Sequence, residues 1–429
     1  MSIKRQVING VKWTTVSTIV SATTAILKIS ILTRLLEKTD FGLIALATFI
    51  MGFMELFNDM GLTSAILHKQ DINRYQYASL YWFNLMLGFT LYAFLIALAP
   101  LIAGLYHQNL LNHIIPLLGL NLIFSSIGNQ FKLIEQKKLL FKQISILDIT
   151  ASICSLIIAI LLAMNGYGVF SLIYSMVIQS FIFNIGILII GLRKQGLLLH
   201  YKFNETKPFL KIGIYQVGGQ IANYFNRDLD ILLVANFFSP GILGGYSLAK
   251  QLVFRPAQLI NPILVKVASP TLAVYQNNIN LLKNNYLKLV NIVSSINIPV
   301  YFGIIIFAPS IIEILYGTGY DDIVILVRIL SIYMIFRALG NPVGSLVVAT
   351  GRTDLEFFWN LITLLIMPLF ILVGVQYGIV YVAIAVTMAM VILYIPAWKF
   401  LIHKLIGATF KEYFYASFGV NIRAIYDRR

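Results

Sequence analysis

WTTVSTIVSATTAILKISILTRLLEKTDFGLIALA, residues 13–47, decides the fold because its pattern returns in the second half of the chain. Thr14, Thr18, Ser21, Ala25 and Lys28 are spaced by four, three, four and three, which places them on one helical face of an otherwise apolar segment. Moving on by 202 residues gives Gln216, Gln220, Asn223, Arg227 and Asp230, a second polar stripe with the same steps and again a charge at its end. Gly42, Leu46 and Ala47 fall on Gly244, Leu248 and Ala249 at that offset. A period near half the chain implies one structural unit used twice, hence a two-lobed molecule rather than a solenoid.

Working outward, 59% of residues are hydrophobic and 11% charged, and the mean hydropathy is +0.83. Soluble domains carry roughly 25% charged residues, so this composition belongs to an integral membrane protein. Apolar stretches of the about 20 residues that a spanning helix needs fill the sequence, while the short alternating segments of a β-barrel are absent. The net charge of +15 lies in short connections between apolar helices, which reads as a topology signal and not as a nucleic-acid patch. Cys154 is the sole cysteine, so an intramolecular disulfide is excluded, and the five histidines show no metal-ligand spacing.

The pattern predicts an all-α fold of about twelve transmembrane helices. Lys and Arg in the connections divide twenty-three to two, with only Arg34 and Lys38 on the minority side. The positive-inside rule then puts both termini in the cytoplasm. The basic start MSIKRQVING could pass for a signal peptide, but the polar stripe and the lack of a small-residue cleavage site favour a retained first helix. The longest inner connection, Arg193–Lys211, is the expected seam between an N-terminal lobe at 1–200 and a C-terminal lobe at 201–404, with 405–429 as a cytoplasmic tail. Six helices per lobe imply parallel repeats about an axis along the membrane normal.

Charges inside the spans mark the candidate site, since each costs roughly 3 kcal/mol at the bilayer centre unless it faces protein or water. Lys28, Arg227, Lys250, Arg255 and Arg337 form the candidate basic lining of a central cavity. On helix eight the lining runs through Gln251, Arg255, Gln258 and Pro262. Lys28 and Asp230 occupy one repeat position, either as a gating pair or separately, with Lys28 snorkelling and Asp230 paired to Arg227. Asp148 and Arg328 read as packing charges or helix-end groups, and Glu55 is a further intramembrane carboxylate. Gly213, Gly218, Gly219, Pro256 and Pro262 cluster helix-weakening residues in helices seven and eight.

The segment LTRLLEKTDFGLIALATFIMGFMELFNDMGLTSAILHKQDI, Leu32–Ile72, resembles the N-terminal signature of the polysaccharide transporter family, the Wzx-type flippases, nearest to its colanic-acid-exporter-like branch. A looser resemblance extends to about Gly407 and includes DLDILLVANFFSPGILGGYSLAKQLVFRPAQLINPI at 228–263. It implies the multidrug/oligosaccharidyl-lipid/polysaccharide exporter fold, two six-helix bundles forming a V around a cavity. It also implies export of undecaprenyl-diphosphate-linked oligosaccharide across the bacterial inner membrane, with a polysaccharide polymerase and a chain-length regulator as associated partners. Family members often continue to fourteen helices, whereas GATFKEYFYASFGVNIRAIYDRR starts as if towards a thirteenth and ends in charged residues.

The chemistry agrees with that implication. A lipid diphosphate needs a basic, polar path for its head, and Arg offers phosphate a bidentate grip. No GxxxxGK[ST] motif is present, so the expected driving force is H⁺ or Na⁺ coupling through Asp230 or Glu55, without a bound cofactor or metal. The alternative is a cation-coupled multidrug or toxin extruder of the same fold, for which an acidic or apolar lining is expected. An enzyme such as a glycan polymerase would need larger outer loops than this chain has.

Overall fold

The computed structural model describes residues 3–60, 63, 66, 69 and 71–419, and of these the side chains of 3–7, 212–216, 262–271 and 273 are outside the description. Of the preceding reading, Gly213, Gln216 and Pro262 fall where only the backbone is described, and the end of the expected tail, from 420, lies outside the described residues.

In chain order the helices are α1 (Ile3–Leu32), α2 (Lys38–Asp59), α3 (Arg74–Leu105), α4 (Leu111–Lys137), α5 (Phe141–Met164), α6 (Val169–Gln195), α7 (Phe203–Phe237) and α8 (Pro240–Val274). They continue with α9 (Ile279–Tyr316), α10 (Val324–Gly340), α11 (Pro342–Thr350), α12 (Thr353–Val375), α13 (Ile379–Ala397) and, after a π-helical stretch Trp398–His403, the short α14 (Phe410–Phe418). No strand occurs among the described residues. Helix starts follow local chemistry: Asn73 accepts from the Gln76 amide at 2.8 Å and the Gln76 side chain accepts from the Asn73 amide at 3.2 Å, a closed capping box. Pro342 lacks an amide hydrogen, and there α10 gives way to α11.

Among the described residues ten helices are long and apolar enough to cross a membrane, with α10 and α11 counted as one span and the last running to Ile406. The other two of the twelve expected spans fall on α7 and α8. These have 35 residues each, about 52 Å against a hydrocarbon core of about 30 Å, so length suffices and polarity sets them apart. Together they hold Arg227, Asp228, Asp230, Lys250 and Arg255. The chain is a multi-pass membrane protein.

The repeat is visible in the helices themselves. α2 begins at Lys38 and α8 at Pro240, the same 202-residue offset that the sequence stripes show. Leu46 and Ala47, and their counterparts Leu248 and Ala249, are all buried.

Two compact units arise from the packing: Met1–Tyr224 with Ser239–Gly241, and Phe225–Phe238 with Ile242–Arg429. In the first, α1 packs on α5, α3 on α4, and α6 on both α4 and α5. Glycines permit these approaches: a Cβ on Gly191 would lie 2.1 Å from Phe131 and one on Gly128 2.4 Å from Asn184. The Arg193–Lys211 connection is stitched to this unit. Arg74 Nη2 donates to Gln195 O at 2.7 Å, Trp82 Nε1 to Leu198 O at 3.0 Å, and Ser79 Oγ to Glu205 Oε2 at 2.6 Å. The unit boundary therefore falls within α7, after Tyr224, whose hydroxyl bonds Phe49 O.

In the second unit α10 packs on α9 and α13, α12 packs on α13, and α14 lies on α9. Residues 410–418 of the expected tail are thus a docked helix. Tyr413 is buried and stacks on Tyr394 at 5.1 Å, Lys283 pairs with Glu412 at 2.9 Å, and Asn291 Nδ2 donates to Gly419 O at 2.7 Å.

Candidate functional site

The second unit gathers charged side chains from three helices. On α8, Tyr246, Lys250 and Phe254 recur every four residues and so share a face. On α10, Tyr333 and Arg337 do the same. From α7 come Arg227, Asp228 and Asp230.

Lys250 is the centre. Its ammonium has three N–H donors, and all three are used: Asp230 Oδ1 at 2.6 Å, Asp228 Oδ1 at 3.1 Å and Arg227 O at 2.7 Å. Both oxygens of Asp230 are engaged, since Oδ2 accepts from the Tyr246 hydroxyl at 2.6 Å and Oδ1 also accepts from the Ile231 amide at 3.0 Å. Arg227 Nε bonds Asp228 Oδ2 at 2.6 Å while nearly half of its side chain is exposed, at 47%. Burial of such charges costs several kcal/mol per ion unless pairing is complete, and here it is.

Phe254 is the spacer. Lys250 Nζ lies 5.4 Å and the Arg337 guanidinium 5.6 Å from its ring centre, and Arg337 Nη1 donates to the Tyr333 hydroxyl at 2.9 Å. Both cations are thus within cation–π range of the same ring. A small cavity of about 10 Å³, enough for about one water, lies beside Asn226, Asp230, Lys250 and Phe254.

Arg227, Lys250, Arg337 and Asp230 thus come together, and Asp230 pairs with Lys250 where the sequence offered Arg227, three residues away on the same helix. Arg255 makes none of these contacts: it is half-buried and its guanidinium has no hydrogen bond or ion pair among the described residues. Gln258, of the same stripe, is exposed.

The polar face of α1 meets α5 in the first unit. Ser17 and Ser21 donate to Asp148 Oδ2, the latter at 3.0 Å, Ser21 and Ser152 hydroxyls lie 3.1 Å apart, and Lys28 Nζ donates to Ser155 Oγ at 2.9 Å. Ser155 Oγ in turn donates to Ser175 O of α6 at 2.8 Å. The contact edge is Ser17–Ser21–Lys28, and Thr14 and Thr18 of the expected stripe are exposed. Asp148 is a packing charge, as its sequence context suggested, while Arg328 is exposed with Nε on Ile305 O at 3.1 Å. Glu55 is exposed on α2 with no ion pair or hydrogen bond among the described residues.

Asp228, Tyr246, Phe254 and Tyr333 belong to the cluster without having been singled out for it. Four-residue spacing of Tyr246, Lys250 and Phe254, and of Tyr333 and Arg337, was the available signal.

Residues 31–325 match the family described as polysaccharide biosynthesis protein. The chain is 26% identical over 423 residues to the lipopolysaccharide biosynthesis protein WzxC of Escherichia coli K12, covering 96% of this chain and 84% of that one. It is 29% identical over 380 residues to the teichuronic acid biosynthesis protein TuaB of Bacillus subtilis 168, covering 88% and 78%. Among solved structures, the lipid II flippase MurJ in an inward closed conformation superposes with a TM-score of 0.73 at 16% identity, over 96% of this chain and 91% of that one. An inward-facing multidrug resistance MATE transporter of the MOP superfamily gives a TM-score of 0.68 at 15% identity, over 95% and 96%. The fold is that of this transporter superfamily, and the chain belongs to the polysaccharide biosynthesis protein family.

Proposed function

We propose that this protein is a flippase that carries undecaprenyl-diphosphate-linked oligosaccharide repeat units from the cytoplasmic to the periplasmic leaflet of the bacterial inner membrane by alternating access, with both termini cytoplasmic. The observation that carries the reading is the cluster in the second unit, in which three cations, Arg227, Lys250 and Arg337, stand against two carboxylates, Asp228 and Asp230. Family membership and the names of the polysaccharide-biosynthesis relatives support it.

The cluster divides the labour among its cations. Lys250 has no donor to spare, so it orients Asp228 and Asp230, and through Asp228 it aligns Arg227. Arg227 and Arg337 of the cluster, with Arg255 outside it, are the phosphate ligands, because a guanidinium has donors to spare and can grip two phosphate oxygens. An ammonium already sits on Asp228 and Asp230. Coupling to H⁺ or Na⁺ is therefore assigned to Glu55 in preference to Asp230. A cation-coupled multidrug or toxin extruder would call for the opposite charge balance. A polysaccharide polymerase and a chain-length regulator would take up the delivered units.

The test is flipping of labelled polyprenyl-diphosphate oligosaccharide in proteoliposomes by the wild type, Arg227→Ala and Arg255→Ala. Flipping by the wild type, lost in both folded variants, is the expected result. Transport of small organic cations without movement of the lipid-linked sugar would overturn the reading in favour of an extruder.

A further inference from the structure

The repeat exposes an asymmetry at the end of each unit where three connections meet. In the first unit the space between the start of α3, the end of α4 and the end of α6 is filled by the chain itself. Gln195–Leu198 lies there, Arg74 and Trp82 donate to its carbonyls, and a cavity of only about 60 Å³ remains. In the second unit the corresponding helix ends are the start of α9, the end of α11 and the last turn after α13. There the chain turns at Gly407, in the left-handed conformation at φ +65°, into α14, which packs on α9, and no described segment fills the corresponding place. The result is a groove of about 470 Å³, within the range of roughly 300–1,000 Å³ typical of ligand sites.

The lining is of two kinds. Gln276, Asn277, Arg352 and Lys404 give polar groups and two cations, and no carboxylate lines the groove among the described residues. Arg352 is held by Asp354 through two contacts of 2.9 Å, which fixes its direction and uses part of its charge. Lys404 is exposed and has no ion pair or hydrogen bond among the described residues. Ile279 and Val348 give the apolar wall, 61% and 70% exposed. Both belong to helices apolar enough to span the membrane, so the groove sits where a span ends. The chain's own last residues, VNIRAIYDRR, carry three arginines and one aspartate, the wrong charge for this lining.

We propose that this groove is a binding site for the phosphate-bearing headgroup of an anionic phospholipid, with Lys404 and Arg352 on the phosphate and Ile279 and Val348 along the first acyl methylenes. A basic pocket between membrane helices has the charge for such a headgroup, and the adjacent apolar wall selects a lipid over a free anion. The site is separate from the Lys250 cluster and does not depend on the transported substrate.

The test is titration of fluorescent phosphatidylglycerol into the purified full chain in uncharged detergent, with phosphatidylcholine and inorganic phosphate as competitors. Expected are displacement by unlabelled phosphatidylglycerol alone and an affinity about fivefold weaker in Lys404→Gln. A greater loss is expected in Lys404→Glu, and retention in Lys404→Arg. Gln276→Glu, which adds repulsion without touching Lys404, must weaken binding too, and unchanged unfolding temperatures of these surface variants show that the fold is intact. Binding unaltered in Lys404→Glu and Gln276→Glu overturns the proposal. So does equal competition by phosphatidylcholine, or by inorganic phosphate, which would mark a free-anion site.

Discussion

Lys250 Nζ lies 2.6 Å from Asp230 Oδ1, whereas Lys28, one repeat period before Asp230, has among the described residues the hydroxyl of Ser155 at 2.9 Å and no carboxylate. The two repeat positions thus carry opposite charges and are satisfied differently: Asp230 by an ion pair, Lys28 by donating to a hydroxyl that itself donates to the Ser175 carbonyl.

Removing the ammonium leaves Asp230 without an ion pair and Asp228 with Arg227 alone. Lys250→Met is expected to lower stability in detergent by about 3–5 kcal/mol, and pairing it with Asp230→Asn should recover part of that loss, because the uncompensated charge is what costs most. Thermal unfolding of the two single variants and the double variant checks this. Additive losses would mean that the two groups are not energetically coupled.

Tyr246→Phe deletes one donor to Asp230 Oδ2 and leaves the ion pair in place. A loss of about 1.5–3 kcal/mol is expected for a hydrogen bond to a charged group. Chemical denaturation with both proteins in the same micelle measures it, and equal midpoints would count against the bond.

Lys28→Met should leave the fold nearly intact, within about 1 kcal/mol, because Ser155 keeps its bond to Ser175 O. Proteoliposome flipping then separates roles: a fall in rate at unchanged stability assigns Lys28 to transport, and an unchanged rate assigns it to packing alone.

Gly191→Leu places atoms where Phe131 already is, starting from a Cβ contact of 2.1 Å. Overpacking between α4 and α6 is expected to cost about 1–3 kcal/mol or more. Phe131→Ala in the same chain should relieve part of it, and thermal unfolding of the pair reads out whether it does.

Docking of α14 depends on pH through Glu412. Hydrogen bonds from Lys283, then from the Thr409 amide and hydroxyl, pull its carboxyl down from 4.5 to about 2. The folded value is depressed, so the stabilisation is present in full above pH 4.5 and is lost as pH falls from there towards 2. Hydrogen exchange of the α14 amides should accelerate over that window, and Glu412→Gln should flatten the profile. An identical profile in the variant would remove Glu412 as the cause.

Composition and period were enough, from the sequence by itself, to determine an all-helical membrane protein built on a repeat, because hydrocarbon leaves few ways to satisfy a backbone and helical spacing is written residue by residue. The residues that had to be sheltered from lipid, Lys28, Arg227, Asp230, Lys250 and Arg337, were legible for the same reason: intramembrane charge is rare and expensive. Tertiary structure alone decided the partners. Asp230 chose Lys250, twenty residues along the chain, over the nearer Arg227, and Ser155 reached Lys28 from 127 residues away. It also decided that Gln195–Leu198 fills the end of one unit while no described segment fills the corresponding place in the other. Spacing along a helix specifies a face, but which face meets which depends on how whole helices pack, and a side chain's partner is set by the few ångströms that packing leaves between them.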